Sequence, residues 1–303
     1  MVCNTVNSAS TIYKILSKII GKDINLYFLS SNLCPAHRKD LLSEIKNGLK
    51  DKKHLICIST QLIEAGVDIS FDISVRALAG LDFIAQTSGR MNRNGKSIKE
   101  YGYIINLNDD DELKKLTEIK LGKTHCKELL DEYKKDNNTF DNSLLSPKSI
   151  KKYFKYYYSD IALKNNMNYP IKNTSIYDML DYNESNTSGY EDDFPLQFMY
   201  KFKTAGELFK VIDNDTKTIL VPYKKGKNLI SELLNNDAYD KKKMILNEIG
   251  QYSVNIYSNK FEALKEKEGV IFNKECGVYI LQDFYYDNVK GVSLEKNLEF
   301  LNP

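Results

Sequence analysis

Short apolar runs alternate with an amphipathic run over roughly the first third of the chain. The stretches 25–30, 55–59, 72–78 and 101–107 have the length and composition of buried strands, whereas 36–49 carries its apolar positions at helical spacing. A further helix is predicted to open near Leu62. Strands that alternate with helices are typical of βαβ units around a parallel sheet. The pattern therefore predicts an α/β fold for this part.

The pattern changes after the acidic stretch 109–112. Residues 112–165 are predicted to form a mainly helical connector, and 166–194 an exposed loop rich in Asn, Ser, Thr and acidic residues. After Phe194, a hairpin near Asn214, further helices and a strand pair around 274–277 predict a small α+β domain. The expected domains are therefore 1–111, 112–194 (connector and loop) and 195–303.

Composition narrows the possible partners only slightly. The chain has 303 residues, 42% of them hydrophobic, and a formal net charge of +2, so any nucleic-acid binding must come from a local surface. Five cysteines without a Cys-x-x-Cys pair and three scattered histidines predict reduced thiols, no metal site and no zinc. No apolar run is long enough to span a membrane, and we expect a cytoplasmic protein.

The segment 86–93 reads Gln-x-x-Gly-Arg-x-x-Arg. On a helical turn its spacing would place Arg90 and Arg93 on one face, while Gly89 allows close backbone approach and Gln86 can orient a water or a phosphate oxygen. Paired guanidinium groups can stabilise the charge of phosphoryl transfer. The alternative is a solvated basic helix start.

The segment 59–68 follows a predicted strand and begins with two hydroxyls. Ser59, Thr60 and the free amides of a helix start could bind a nucleic-acid phosphate, and Asp68, just past Gly66, could accept from a ribose hydroxyl or from the arginines. The alternative is that Ser59 or Thr60 only caps a helix. Together the two segments are expected at the carboxyl edge of adjacent parallel strands, where ligands bind in doubly wound sheets.

These segments resemble a known family. Ser59 to Asp68 is similar to motif V, and Gln86 to Arg93 to motif VI, of superfamily 2 helicases. Residues 2–6 resemble motif IV, and 29–38, with its Cys-Pro-Ala-His-Arg run, the strand-to-helix motif that follows. The residues of these motifs are most similar to those of the helicase-nuclease of type I CRISPR systems. Segments 202–213, 221–223 and 251–257 resemble that family's C-terminal domain.

The resemblance implies a second RecA-like lobe, a doubly wound parallel sheet, over 1–111. It implies an ATP-dependent helicase that translocates on single-stranded DNA in antiviral defence and works with a CRISPR surveillance complex. Mg-ATP would be shared with a first helicase lobe. The implied catalytic residues are Arg90, Arg93 and Gln86. The implied ATP-binding residues are Gly66, Asp68 and Gly89. The implied DNA-binding residues are Asn4, Thr5, Ser30, Ser31, Arg38, Ser59, Thr60 and Glu64.

The sequence departs from the family in what it lacks. It has no phosphate loop, no Asp-Glu-x-His metal motif and no His-Asp nuclease pair, and Gly95-Lys96-Ser97 lacks the upstream glycine that a phosphate loop requires. We therefore expect a C-terminal half without ATPase activity of its own. Two alternatives stay open: a non-catalytic DNA-binding or CRISPR-complex interaction module, and a translocase unrelated to CRISPR defence.

Overall fold

A computed structural model describes residues 1–64, 67–93, 101–109, 111–161, 163, 167–181, 200–210, 215–235 and 239–296. The chain divides into two compact units. One consists of Met1–Thr124 together with Asp215–Pro303, and the other of His125–Asn214. The first unit thus contains segments from both ends of the chain. The domain boundaries at 111 and 194 stay a prediction.

A parallel sheet organises the N-terminal part of the first unit. Strand β1 (Asn25–Leu29) pairs with β2 (Leu55–Ser59), and β3 (Ile73–Ala77) pairs with β4 (Tyr101–Ile105). Between the two pairs lies the start of the chain, because Val2 bridges to Ser59 on one side and to Arg76 on the other. The N–H of Val2 donates to the carbonyl of Val75 at 2.8 Å. The predicted strands are confirmed, but β2 and β3 are not adjacent.

Helices cover both faces of this sheet. Helix α1 (Val6–Ile19) begins at Thr5, whose hydroxyl accepts from the N–H of Ser8, and it packs with Phe28 and Ile58. Helix α2 (Pro35–Lys50) begins with a proline, which suits the first turn of a helix, and packs with Leu29 and Cys57. Successive residues of a strand point to opposite faces, so the two helices lie on opposite sides.

The helix predicted near Leu62 is wrong. The chain forms only a single 3-10 turn, Gln61–Ile63, followed by Glu64. The side chain of Glu64 is directed into the protein, where its carboxylate lies 2.8 Å from the guanidinium of Arg76. This long-range contact replaces the regular helix that the local pattern favours. Helix α3 (Leu81–Ser88) then follows β3.

The second unit is mainly helical, as predicted for the connector. It contains most of α4 (Thr117–Lys135) and all of α5 (Pro147–Ser159), whose start is capped by Ser146. Glu132 joins the two helices by accepting from Lys152 and from Tyr156. Four short elements follow: β5 (Pro170–Ile171), β6 (Thr174–Ser175), α6 (Ile176–Leu180) and α7 (Phe202–Leu208). Of the predicted loop 166–194, residue 166 and residues 182–194 lie outside the described residues.

The C-terminal part of the first unit has its own sheet, in the order β8-β7-β10-β9. Its strands are β7 (Thr216–Leu220), β8 (Ser253–Tyr257), β9 (Val270–Asn273) and β10 (Val278–Leu281). Its helices are α8 (Lys225–Asn235), α9 (Tyr239–Ile249) and α10 (Ser258–Glu266). A small pair, β11 (Tyr286–Asp287) with β12 (Gly291–Val292), ends it. The α+β character and the strand pair flanking 274–277 are confirmed; Asn214 lies outside the described residues.

The cysteines are free thiols. Cys3, Cys34, Cys57 and Cys126 are buried, and Cys276 is partly exposed. Burial raises the pKa of the Cys3 and Cys57 thiols to about 11, so both are protonated and unreactive at neutral pH. The expectation of reduced, mostly buried thiols is confirmed. Among the helices that the structure describes, none has the length and apolar character needed to cross a bilayer.

His37, at the start of α2, joins the N-terminal sheet to the C-terminal part. The side chain is 2% exposed, stacks on the ring of Tyr223 at 4.1 Å between centroids, and lies 3.0 Å from the hydroxyl of Tyr286. This packing makes His37 a core residue of the first unit. Burial, and secondly the charge of Lys224, lowers its pKa to about 4.

We expect this histidine to make folding sensitive to mild acid. The pKa of an unfolded histidine is about 6.5, so the unfolded chain binds the proton first, and stability falls from about pH 6.5 down to about pH 4. Urea unfolding should show that the free energy of unfolding of the wild type is about 2 kcal/mol lower at pH 5 than at pH 7. His37→Phe keeps the stacking but does not titrate, so this variant should not show the loss. His54→Phe, at an exposed histidine, is the control. Equal losses in wild type and His37→Phe would contradict the assignment.

Candidate nucleotide and nucleic-acid site

A buried polar network lies at the carboxyl edge of the N-terminal sheet. Asn4 is 3% exposed, and its amide oxygen accepts from Nη1 of Arg76 at 2.7 Å. The amide nitrogen of Asn4 donates to the carbonyl of Leu78 at 3.0 Å and to the carboxylate of Asp109 at 3.1 Å. Lys123 closes this side with an ion pair to Asp109 at 2.7 Å. Asn4 therefore connects the inserted N-terminal segment to β3 and to the segment after β4.

Glu64 and Arg76 form the centre of the network. Nε of Arg76 lies 2.8 Å from Oε1 of Glu64, and both side chains are 2% exposed. The same carboxylate oxygen accepts from the hydroxyl of Thr87, on α3, at 3.0 Å. Among the described residues, Nε and Nη2 of Arg76 have no aligned hydrogen-bond partner, so Nε meets Glu64 as an ion pair. Burial raises the pKa of Glu64, with the charge of Arg76 opposing it, and burial lowers the pKa of Arg76.

The two arginines of the 86–93 segment converge on the loop after β2. Arg90 donates from Nε and Nη2 to the backbone carbonyl of Glu64, at 3.2 and 2.6 Å. Arg93 forms an ion pair with Asp68 at 2.9 Å and donates to the carbonyl of Val67 at 3.3 Å. One of the two roles considered for Asp68, acceptor from the arginines, is thus present in the structure.

The expected helical face bearing both arginines is wrong. Helix α3 ends at Ser88, with Gly89 as its C-cap, so Arg90 and Arg93 follow the helix. The backbone there pairs with the segment before β3, since the N–H of Phe71 donates to the carbonyl of Arg90 at 2.9 Å. The arginines come together through this pairing and not through helical spacing.

Some of the other residues predicted to act at the nucleotide site are accessible to solvent. Gln86 and Gly89 are exposed on the last turn and cap of α3. An added Cβ at Gly89 would lie 3.4 Å from the carbonyl of Gln86, an ordinary contact distance, so the fold itself leaves room for a small side chain here. Gly66 lies outside the described residues. The nucleotide-binding assignments of Gly66, Asp68 and Gly89 stay predictions.

Several hydroxyls that were expected to contact DNA are directed into the protein. Ser59 and Thr60 are 0% and 5% exposed, and the Ser59 hydroxyl donates to the carbonyl of Thr60 at 2.9 Å. Neither side chain caps the following turn, so the plain N-cap interpretation is wrong. Thr5 caps α1 and donates to Glu112, which also accepts from Ser8 at 2.9 Å.

The second predicted DNA segment contains a groove. Ser30 is buried and Ser31 exposed after β1, while Arg38 is half-buried on the first turns of α2. Arg38, Lys39 and Lys46 line a cavity of about 480 Å³ whose other wall includes Leu62, Val67 and Asp68. The structure therefore brings basic side chains of α2 opposite the loop that receives the two arginines.

Sequence reasoning missed the residues that hold this edge together: Arg76, Thr87, Asp109, Glu112 and Lys123. Arg76 offered one signal, because a charged residue inside an otherwise apolar strand requires a buried partner. The identity of that partner, Glu64, depends on the fold. No group of three or more His, Cys, Asp or Glu side chains within the described ranges could hold a metal ion.

Comparison with known proteins gives consistent results. Residues 1–96 match the family model described as CRISPR-associated nuclease/helicase Cas3, C-terminal. The Cas3 of Methanothermobacter thermautotrophicus is 34% identical over 94 residues, 31% of this chain and 11% of that protein. The Cas3 of Haloferax volcanii is 41% identical over 100 residues, 32% of this chain and 11% of that protein.

Solved structures extend the likeness in fold. The crystal structure of T. fusca Cas3-ATP superposes with a TM-score of 0.57 at 11% identity, covering 96% of this chain and 38% of that chain. The T. fusca Cas3-ADP structure gives a TM-score of 0.55 at 12% identity, with the same coverage of both chains. At this identity the likeness shows a shared fold over nearly the whole chain.

Proposed function

We propose that this chain is the C-terminal part of an ATP-dependent helicase of CRISPR antiviral defence, because residues 1–96 match the C-terminal family model of the CRISPR-associated nuclease/helicase Cas3. It would translocate on single-stranded DNA together with a first helicase lobe, in the cytoplasm and in contact with a CRISPR surveillance complex. The N-terminal sheet, with helices on both faces, is the second RecA-like lobe in this proposal.

One observation carries the proposal: Arg90 contacts Glu64, and Arg93 contacts Val67 and Asp68, in the segment that follows β2 at the carboxyl edge of the parallel sheet. Ligands of doubly wound sheets bind at this edge, and guanidinium groups recognise phosphates with their paired donors. We assign Arg90 and Arg93 to the polyphosphate of ATP as arginine finger and sensor, and exposed Gln86 to the attacking water. Gly66, Asp68 and Gly89 would complete this chain's share of the nucleotide site.

The described residues do not form a magnesium site. Mg²⁺ takes oxygen ligands from carboxylates and phosphates, yet Asp68 is already paired with Arg93. We therefore assign the magnesium ligands to the first lobe and derive no step from this chain. The contribution of this chain is the positive charge that stabilises the transferred phosphoryl group.

Among the residues proposed to act in DNA binding, the accessible ones could contact the strand directly, whereas the buried ones could only support those contacts. Arg38, beside Lys39 and Lys46, can reach a strand that lies in the groove between α2 and the wall formed by Leu62, Val67 and Asp68. Ser31 is exposed after β1 and would contact the strand from there. Thr5 would have to exchange its contact with Glu112 for a phosphate. Asn4, Ser30, Ser59, Thr60 and Glu64 are buried and would support these contacts from behind.

We expect no ATP hydrolysis from the chain alone and DNA-stimulated hydrolysis after mixing with a separately expressed first lobe. Arg90→Ala should lower the rate of the mixture by at least about 100-fold, because a charge stabiliser of the transition state is lost. Lys134→Ala, at an exposed lysine of α4, is the control and should retain the wild-type rate. The measurement is phosphate release with and without single-stranded DNA.

Each result separates the candidate functions. Activity in the mixture that depends on Arg90 supports the helicase assignment. Hydrolysis by the chain alone contradicts the need for a first lobe. No hydrolysis in either sample, with single-stranded DNA binding intact, would favour the non-catalytic binding module.

A further inference from the structure

Glu64 lies where three elements meet. Its carboxylate contacts Arg76 of β3 at 2.8 Å and Thr87 of α3 at 3.0 Å. Its backbone carbonyl accepts two hydrogen bonds from the Arg90 guanidinium. Two donors on one acceptor hold the Nε–Nη2 edge of that guanidinium against the Glu64 carbonyl. Any shift of Glu64 is therefore transmitted directly to Arg90.

Arg76 holds Glu64 in place and is itself held on its far side. Nη1 of Arg76 donates to the amide oxygen of Asn4 at 2.7 Å and to the carbonyl of Ala77 at 3.0 Å. Asn4 in turn is fixed by Asp109, which pairs with Lys123. The contacts thus run without interruption from the N-terminal segment, through the buried pair, to Arg90.

A buried ion pair is a weak means of gaining stability, because desolvation offsets most of the attraction. Hydrophobic residues of similar volume would hold β3 to the loop at least as firmly. What the pair adds is direction, since a planar guanidinium and a carboxylate accept few relative orientations. In the observed geometry Nη1 of Arg76 donates to Asn4 and Ala77, while Nε meets the Glu64 carboxylate as an ion pair, so the guanidinium ties Glu64, whose carbonyl orients Arg90, to Asn4.

We propose that Glu64 and Arg76 are a positioning pair that sets the direction of the Arg90 guanidinium and couples it to Asn4. Neither residue touches the nucleotide in this account, and both act through Arg90. The inference rests on the proposed function for its effect on catalysis. The positioning of Arg90 can be measured without any activity.

The test uses Arg76→Lys in the full chain. Lysine keeps the charge but cannot reach Glu64 and Asn4 with a planar fork. The chain has four arginines, so the Nε–H resonances of ¹⁵N-arginine-labelled protein are few, and Arg90→Lys identifies the Arg90 signal. We expect a hydrogen-bonded, slowly exchanging Arg90 signal in wild type and exchange faster by about 10-fold or more in Arg76→Lys.

The second readout is the ATPase of the mixture with the first lobe. Misdirection of Arg90 should lower kcat by about 10-fold with KM for ATP nearly unchanged, because the arginine acts on the transition state. Ile219→Val, a core substitution in the other sheet, is the matched control for lost stability and should change neither readout. If Arg76→Lys does not fold, Glu64→Gln, which removes only the charge of the pair, replaces it.

The outcomes are distinguishable. An unchanged Arg90 signal in the folded variant overturns the inference whatever the activity. A changed signal with unchanged kcat also overturns it, because direction would then not matter. If the wild-type mixture shows no hydrolysis, the proposed function fails, while a changed signal still supports Glu64 and Arg76 as the pair that orients Arg90.

Discussion

Arg76→Met is expected to destabilise the first unit by about 3–5 kcal/mol, because it leaves the Glu64 carboxylate buried without a counter-charge. Both side chains of the pair are 2% exposed, so water cannot replace the lost partner. Asn4 would also lose the donor that lies 2.7 Å from its amide oxygen. Urea unfolding followed by circular dichroism measures the change.

Two further variants isolate the cause. In Arg76→Met with Glu64→Leu, both charges are absent, and most of the lost stability should return. Arg93→Met removes the same side chain from the ion pair with Asp68, whose members are 41% and 83% exposed, and should cost less than about 1 kcal/mol. If Arg76→Met and Arg93→Met cost the same, Glu64 and Arg76 do not form the buried pair described.

Gly291→Ala is expected to cost about 3 kcal/mol and to detach the β11–β12 pair from the turn before α2. Gly291 has φ +73°, and an added Cβ would lie 2.1 Å from the carbonyl oxygen of Asn32. The same carbonyl accepts from the N–H of Val292 at 2.9 Å, and this hydrogen bond attaches the β11–β12 pair to the turn before α2. The added Cβ would therefore break this docking contact. A left-handed backbone costs alanine roughly 1 kcal/mol, and the clash with backbone adds more.

Gly277→Ala is the matched control. Gly277 has a similar φ of +65°, but an added Cβ there would meet nothing within 4 Å. Gly277→Ala should therefore lower the free energy of unfolding only by the cost of placing alanine in a left-handed backbone conformation, about 1 kcal/mol. Detachment in Gly291→Ala should also expose His37, whose partner Tyr286 belongs to β11, and raise the His37 pKa towards 6.5 in an NMR titration. Equal losses in the two glycine variants would contradict the docking contact.

Much of the site could be located from the sequence. The segments 59–68 and 86–93 were placed at one edge of a parallel sheet, and the structure brings Arg90 and Arg93 onto the 64–68 loop. The resemblance to the Cas3 family is supported over residues 1–96. The orientation of individual side chains could not be predicted, because a motif specifies residue types without showing which of them point inward.

Asn4 and Glu64 illustrate this difference. Polar residues after a strand are typical of ligand contacts, yet both are nearly fully buried and bind Arg76. Arg76 carried no motif, and its partners lie 12 and 72 positions away in the chain. Only the packing of β3 beside the N-terminal segment brings the three side chains together.

The sequence by itself determined the strands of the N-terminal sheet, helix α2, the helical character of the connector that contains α4 and α5, the reduced cysteines and the two arginines, because local periodicity and residue chemistry depend on near neighbours. The tertiary structure decided the rest. It inserted Val2 between β2 and β3, ended α3 before Arg90, and buried His37 against Tyr223 and Tyr286. These features follow from contacts between distant segments, whose free energy exists only once the whole unit has folded.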